Sequence, residues 1–333
     1  MRERVQQGLD SLRRQNGLYL ASPSDTYHFI WIRDNCYVSL SKLDQDNDEY
    51  EQIYHSIFDI WKKYAWKIAF HADRRPEAVY QYIHPRYTAD TLEEIHEPWG
   101  NAQNDAIGLF LYGIGTGLQR NRSMLRDTED ANLVRLLIRY LKTLAYWSDK
   151  DNGMWEETVE LHASSVGACV AGLLAVKPFF DVDFPTIREG MVSLWRLLPQ
   201  ESATHDVDLA QLSLVYPYRL LPKEIARAIV QRVESHLLRE YGVIRYAGDR
   251  YYADNGREAE WCMGLPWLGL CHATLGDGDA ARRYWEWTQR VMTPEGLIPE
   301  LYLPVQRIPN ENTPLGWAHS LYLILDRLVN QLP

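Results

Sequence analysis

Apolar positions recur along this chain with helical spacing almost from end to end. In residues 48–70, Ile53, Ile57, Ile60, Trp61 and Ala65 fall on one stripe, the pattern of a helix that turns one face toward a core. The same reading predicts twelve helices, at residues 2–15, 34–44, 48–70, 101–119, 129–149, 162–177, 185–198, 205–214, 223–240, 258–275, 278–292 and 314–331. Asn101, Thr128 and Thr313 are placed to cap three of the starts. Strand-like pieces are few and short. The best, 79–83 and 243–246, fall in loops. No low-complexity tract or Gly/Ser linker interrupts the series, so a single domain over residues 1–333 is expected.

The connections between these helices are of two kinds. Those after the odd-numbered helices are long and rich in Trp, Arg, Asp and Glu. They carry Tyr27-His28-Phe29-Ile30-Trp31-Ile32-Arg33-Asp34, Trp99-Gly100-Asn101-Ala102-Gln103-Asn104-Asp105, Trp155-Glu156-Glu157, Arg245-Tyr246 and Pro299-Glu300-Leu301-Tyr302. Even connections, such as 120–128 and 276–277, carry mostly solvated polar residues. In an antiparallel helical array alternate connections emerge at the same end, so the loaded loops are expected to share one mouth. Twelve helices in two rings make an all-α (α/α)6 barrel, a toroid of six hairpins.

Composition narrows the chemistry. The formal net charge is -10, from 35 basic and 45 acidic residues. That speaks against a nucleic-acid or anionic-membrane partner. Twelve Trp and 21 Tyr stand against only 7 Phe, a skew toward rings with a polar handle. A sugar ring needs a flat apolar face together with donors. The four cysteines, Cys36, Cys169, Cys262 and Cys271, have neither CxxC spacing nor a histidine cluster beside them. They read as reduced core thiols, and no metal or other cofactor is expected. Residues 1–7 lack the apolar region of a signal peptide, and no run of about 18 apolar residues is present. A cytoplasmic location follows as an expectation.

Carboxylates in the loaded loops suggest acetal cleavage, which takes a proton donor and a water-activating base on opposite sides of the bond. Beside Trp155, the adjacent carboxyls of Glu156 and Glu157 suit a general acid, since like charge and an apolar neighbour raise a pKa. The alternative is a solvated acidic start to the next helix. Glu300 is a lone carboxylate in an apolar stretch, so it either functions or points to water. Arg33 and Asp34 offer a paired donor and acceptor for hydroxyls; Asp34 serves equally as a helix cap. Trp99, ahead of Gln103 and Asp105, is either a stacking platform or a core residue at a helix start. His162, His272 and His319 read as packed or solvated rather than as ligands.

The loops also resemble the blocks of glycoside hydrolase family 15, the glucoamylases. Ala21-Ser22-Pro23-Ser24 with residues 27–34, Trp99-Gly100 with Gln103 and Asp105, and Trp155-Glu156-Glu157 are similar to its first three blocks. Arg245-Tyr246 with Asp249, Tyr251-Tyr252 and Trp261, and Pro299-Glu300 with residues 314–320, are similar to the last two. The order is the family's, over residues 20–325. Residues 31–35, 163–167, 299–302 and 320–322 also resemble the α and β regulatory subunits of phosphorylase kinase, which are themselves similar to family 15.

The resemblance implies an inverting, exo-acting α-glucoside hydrolase on short oligosaccharides, with Glu156 as general acid and Glu300 as general base. It places Arg33 and Asp34 on hydroxyls of the terminal glucose and Tyr27 beside the developing oxocarbenium ion. Trp31, Trp99 and Trp317 would line the cleft, with Gln103, Asp105 and Trp155 in the substrate-binding set. Glu157 and Arg245 would contact sugar near the cleaved bond. Two departures stand out. The chain starts almost at the first barrel helix, and Glu300 is followed by Leu301 where glucoamylases usually have Gln. The alternatives are a carbohydrate sensor without turnover, a trehalase or a glucosyltransferase.

Overall fold

The computed structural model describes residues 1–97 and 99–331 and divides the chain into two compact units. The first comprises residues 15–18 and 29–204. It opens on a short antiparallel pair, β1 (Phe29–Trp31) with β2 (Arg86–Thr88), in a register that sets Trp31 opposite Arg86. Seven helices complete it: α2 (Ile32–Lys42), α3 (Glu49–Lys63), α4 (Ala65–Asp73), α5 (Asn104–Gln119), α6 (Thr128–Leu144), α7 (Ala163–Val176) and α8 (Phe184–Leu197).

These helices are of two sorts. All eleven residues of α2 are buried, and α7 exposes only Leu174. In contrast, α3, α6 and α8 bury one stripe each, as their apolar periodicity requires. The buried helices approach closely where glycine leaves room. A Cβ built on Gly108 of α5 would lie 2.4 Å from the Ala168 carbonyl carbon of α7, so this crossing demands glycine.

The second unit comprises residues 1–14, 19–28 and 205–331 among those described. It holds α1 (Arg2–Asp10), α9 (Lys223–Leu237), α10 (Gly264–Leu275), α11 (Gly278–Arg290) and α12 (Gly316–Val329). A second antiparallel pair, β3 (Glu260–Trp261) with β4 (Leu301–Tyr302), aligns Trp261 with Leu301. Buried side chains run almost all round α10 and α12, while α9 and α11 are one-sided.

Several expected boundaries move. The helix expected at 48–70 is two, because the backbone turns at Tyr64, which ends α3 and precedes α4. Tyr64 and Ala65 are ordinary helix residues, so the stripe runs through the bend unmarked. Residues 209–214, expected as α-helix, form a 3-10 helix capped by Asp208. The strand expected at 79–83 is a 3-10 turn at Val79–Gln81, and within 243–246 only bridges form, at Val243 and Tyr246. The start expected at 258 is delayed to Gly264 because Glu260 and Trp261 pair with β4. Capping also differs. Asp127, not Thr128, caps α6 by accepting from the Asp130 N–H, and Gln103 and Leu315 occupy the cap positions of α5 and α12. The alternation of loaded loops therefore survives only when α3 with α4 counts as one element and the 3-10 segment as another.

All four cysteines are buried and none forms a disulfide. Among the described residues no helix is long and apolar enough to cross a membrane.

Candidate active site

Each unit carries one of the two candidate glutamates. In the first, Glu156 lies in the connection between α6 and α7, not at a helix start. Asp151 and Glu160 exchange both backbone hydrogen bonds, closing that connection into a loop. Gly153 turns it with φ 64°, where an added Cβ would sit 2.9 Å from the His162 ring. Glu156 itself has φ 64°, a left-handed conformation that costs a non-glycine residue about 1–2 kcal/mol. Such strain persists only where the surroundings fix it.

What holds Glu156 is a fan of donors. Trp31 Nε1–H donates to Oε1 at 2.8 Å, Arg33 Nη2 to the same oxygen at 3.1 Å, and Trp99 Nε1–H to Oε2 at 2.6 Å. The fan follows from local structure. Trp31 ends β1, and Arg33 is in the first turn of α2. Arg33 also donates from Nη1 to Gln103 Oε1 at 2.9 Å and to Asp105 Oδ2 at 3.1 Å. Burial disfavours the Arg33 cation, but Asp105 and then Glu156 outweigh that and hold its pKa above the usual arginine value. Arg86, from β2, stacks at 3.9 Å from the Trp99 ring, 4.5 Å from Phe29 and 5.3 Å from Trp31.

Of the other expected residues in this unit, Asp34 is buried one position beyond Arg33. Trp155 is half-buried and Glu157 is exposed. The Glu157 N–H donates to the Asn152 carbonyl, and its own carbonyl accepts from Asn152 Nδ2. The structure thus brings Trp31, Arg33, Trp99, Gln103 and Asp105 together around Glu156.

Beneath the loop lies Asp151, which the sequence did not single out. Its oxygens accept from the Asn104 N–H at 3.0 Å and the Gly153 N–H at 3.2 Å. Burial pushes its carboxyl up to about 7, with nearby His162 opposing and Asp105 adding to the rise.

In the second unit Glu300 precedes β4 and has no exposed surface. Its main chain is held on both sides: its N–H donates to the Asn312 carbonyl at 3.0 Å, and its carbonyl accepts from the Cys262 N–H at 2.9 Å. Three neutral donors reach its carboxylate. Tyr27 donates to Oε1 at 2.5 Å, while Asn310 Nδ2 and Asn312 Nδ2 donate to Oε2 at 2.6 Å and 2.7 Å. Burial raises the Glu300 pKa, and the donors and Arg245 offset only part of that rise. The Tyr27 phenol is pushed well above its usual range, by burial and then by Glu300.

Tyr27 also shares a 2.9 Å hydrogen bond with Tyr251. Arg245 is buried and paired with Asp249, through Nε at 2.7 Å and Nη2 at 2.6 Å. Its guanidinium lies 5.0 Å from the Trp261 ring centre and 5.2 Å from that of Tyr251. Trp317, in the first turn of α12, is buried against Trp267 with ring centres 5.4 Å apart. The structure thus brings Tyr27 and Arg245 to Glu300. Sequence reasoning missed Arg86, Asn310 and Asn312. Residues 310–312 read Asn-Glu-Asn ahead of Pro314 and look like any polar turn.

Among the described residues no group of three or more His, Cys, Asp or Glu is arranged to hold a metal ion. His319 is buried and held neutral, its pKa lowered to about 4 by burial, and His272 pairs with Glu234 at 2.7 Å.

The family model described as "Glycosyl hydrolases family 15" matches residues 5–259. The "Probable phosphorylase b kinase regulatory subunit alpha" of Caenorhabditis elegans is 24% identical over 96% of this chain, which spans 32% of that protein's length. The "Isomaltose glucohydrolase" of Kribbella flavida is 28% identical over 71% of this chain and 67% of its own. A glycosidase variant solved in complex with glucose aligns with a TM-score of 0.80 at 22% identity, covering 100% of this chain and 97% of that one. At that identity the likeness shows the fold class alone: all-α, of the (α/α)6 type.

Proposed function

The chain belongs to glycosyl hydrolases family 15, and on that premise we propose that it is an inverting, exo-acting hydrolase of short α-gluco-oligosaccharides. Glu156 is the general acid and Glu300 the general base. The observation that carries the reading is the pair of glutamates. Two indoles and a guanidinium converge on Glu156, and a phenol and two amides converge on Glu300. The similarity to an isomaltose glucohydrolase and the glucose held by the solved glycosidase support an α-glucoside as substrate.

In this reading Glu156 protonates the leaving glycosidic oxygen while Glu300 takes a proton from the attacking water. Arg33 and Asp34 bind hydroxyls of the terminal glucose. Tyr27 lies beside the oxocarbenium-like centre, and the rings of Trp31, Trp99 and Trp317 line the cleft. Gln103, Asp105, Trp155, Glu157 and Arg245 complete the substrate-binding set, and residues 1–333 act as one catalytic domain. A second reading, a carbohydrate-sensing protein without turnover, draws on the kinase-subunit similarity over nearly the whole chain.

Leaving groups separate the roles. Fluoride departs with little need of a proton. Glu156→Gln should therefore lose nearly all activity on a maltose-like disaccharide yet keep appreciable turnover of α-glucosyl fluoride. Glu300→Gln should lose both activities, by roughly 10²- to 10⁴-fold. An unmodified protein that binds glucosides by calorimetry but turns over neither substrate would replace the enzyme with the sensor.

A further inference from the structure

We infer that Asn310 and Asn312 are the positioning residues of the base: together they fix Glu300 Oε2, leaving Oε1 as the oxygen that takes the proton from water. The inference rests on Glu300 being the base and specifies how it works.

The backbone sets up the clamp. After β4 the chain reverses, with the Leu303 N–H donating to the Ile308 carbonyl at 2.9 Å. The return arm then runs back along the strand, pairing Tyr302 with Pro309 and the Asn310 N–H with the Leu301 carbonyl at 3.1 Å. That register returns residues 310 and 312 to the side chain of residue 300. Both amides are buried, and both aim Nδ2 at the same carboxylate oxygen. The orientation of Asn312 is set from behind, because its Oδ1 accepts from the Ser24 hydroxyl, so Nδ2 is the atom left for Glu300.

Counting acceptor sites then distinguishes the two oxygens. An ionised carboxylate accepts at about four lone-pair positions, two on each oxygen. Two amide donors fill Oε2 and Tyr27 fills one position of Oε1. Among the described residues this leaves one acceptor position, on Oε1, and a general base must present a lone pair to the water it deprotonates. The clamp also answers a departure seen in the sequence. Leu301, buried and apolar, follows the base where glucoamylases usually carry an amide, and here the amides come from the opposite arm of the hairpin.

A base buried this deeply is ionised only if donors replace the water it has lost. Removing either amide should therefore raise the pKa of Glu300, and the acid limb of kcat/KM should move to higher pH. The test is α-glucosyl fluoride hydrolysis across pH by the unmodified protein, Glu300→Gln, Asn310→Ala, Asn312→Ala and the double alanine variant. A hydrogen bond to a charged group corresponds to about one pH unit or more per donor. Each alanine variant should show that upward displacement with kcat reduced roughly tenfold or more, and KM should stay within about twofold. The double variant should exceed either single one. A merely structural role would lower the melting temperature and leave the limb in place. Should Asn312→Ala not fold, Asn310→Asp keeps the shape, replaces the donor with an acceptor and should displace the limb further than Asn310→Ala. Folded variants with an unmoved acid limb, beside an inactive Glu300→Gln, would overturn the clamp alone. A Glu300→Gln variant still active on the fluoride would overturn the base assignment and the clamp with it.

Discussion

The two glutamates are held in opposite ways. Glu156 stands on a loop with strained backbone, part-open to solvent, and is oriented by a cation and two indoles, one of them on Trp99, which is 39% exposed. Glu300 sits without exposed surface, its main chain bonded to Asn312 and Cys262, and is oriented by a phenol and two amides, all neutral. The difference matches what each is proposed to do. A proton donor must reach a large leaving group that comes and goes, so its cradle is half open. A base that handles only water can be enclosed, and neutral donors hold it without the added charge that would tie its electrons to one partner. Glu156 takes its donors from residues 31–33 and from Trp99, and Glu300 takes its donors from the return arm of its own hairpin and from Tyr27.

The largest effect expected from breaking the first cradle falls on stability. Arg33→Met leaves Asp105 buried without the cation that meets it, and an orphaned buried charge costs about 3–5 kcal/mol. Thermal unfolding should show a clear drop in melting temperature. Arg33→Lys should recover only part of it, because an ammonium cannot reach Gln103, Asp105 and Glu156 with one planar fork.

A smaller effect should fall on rate. Trp99→Phe removes one donor from Glu156 at an exposed position. A hydrogen bond to a charged group is worth about 1.5–3 kcal/mol, so disaccharide hydrolysis should fall roughly ten- to a hundredfold with the melting temperature unchanged. Turnover of α-glucosyl fluoride should fall far less. Equal losses on both substrates would mean that Trp99 serves binding rather than the acid.

The smallest expected effect is a pH dependence beneath the Glu156 loop. Asp151 has a folded pKa raised by burial to about 7. Its contribution to stability is therefore fully present below the unfolded carboxylate value and is lost as pH rises through about 7. Between pH 5 and pH 8 the unmodified protein should lose more melting temperature than Asp151→Asn, which cannot ionise. Parallel curves would show that Asp151 is already ionised in the folded state at pH 5, without the raised pKa.

Much of this molecule was legible from spacing alone, because amphipathic helices such as α3, α6 and α11 announce the face they bury. The break at Tyr64 was not, since a bend that keeps the apolar stripe intact leaves no mark in the pattern. The residues that define the Glu156 cradle were visible as loaded loops, Arg33 with Gln103 and Asp105 among them. Arg86 was not, because a lone arginine in Pro85-Arg86-Tyr87 says nothing of the three rings it stacks on. Asn310 and Asn312 were hidden for another reason. Their meaning depends on the register of a hairpin whose strand is two residues long, too short to give any alternation. Asp151 passed as one more loop acid until its burial was known.

The proposed reaction is a single displacement at the anomeric carbon, which inverts its configuration. Proton NMR of an α-linked disaccharide, recorded within the first minutes after enzyme is added, reads this directly. The account predicts that the newly released glucose appears first as the β-anomer and only later mutarotates to the equilibrium mixture. Initial release of the α-anomer would contradict it, since retention requires a covalent intermediate on one of the carboxylates and would recast Glu300 as a nucleophile.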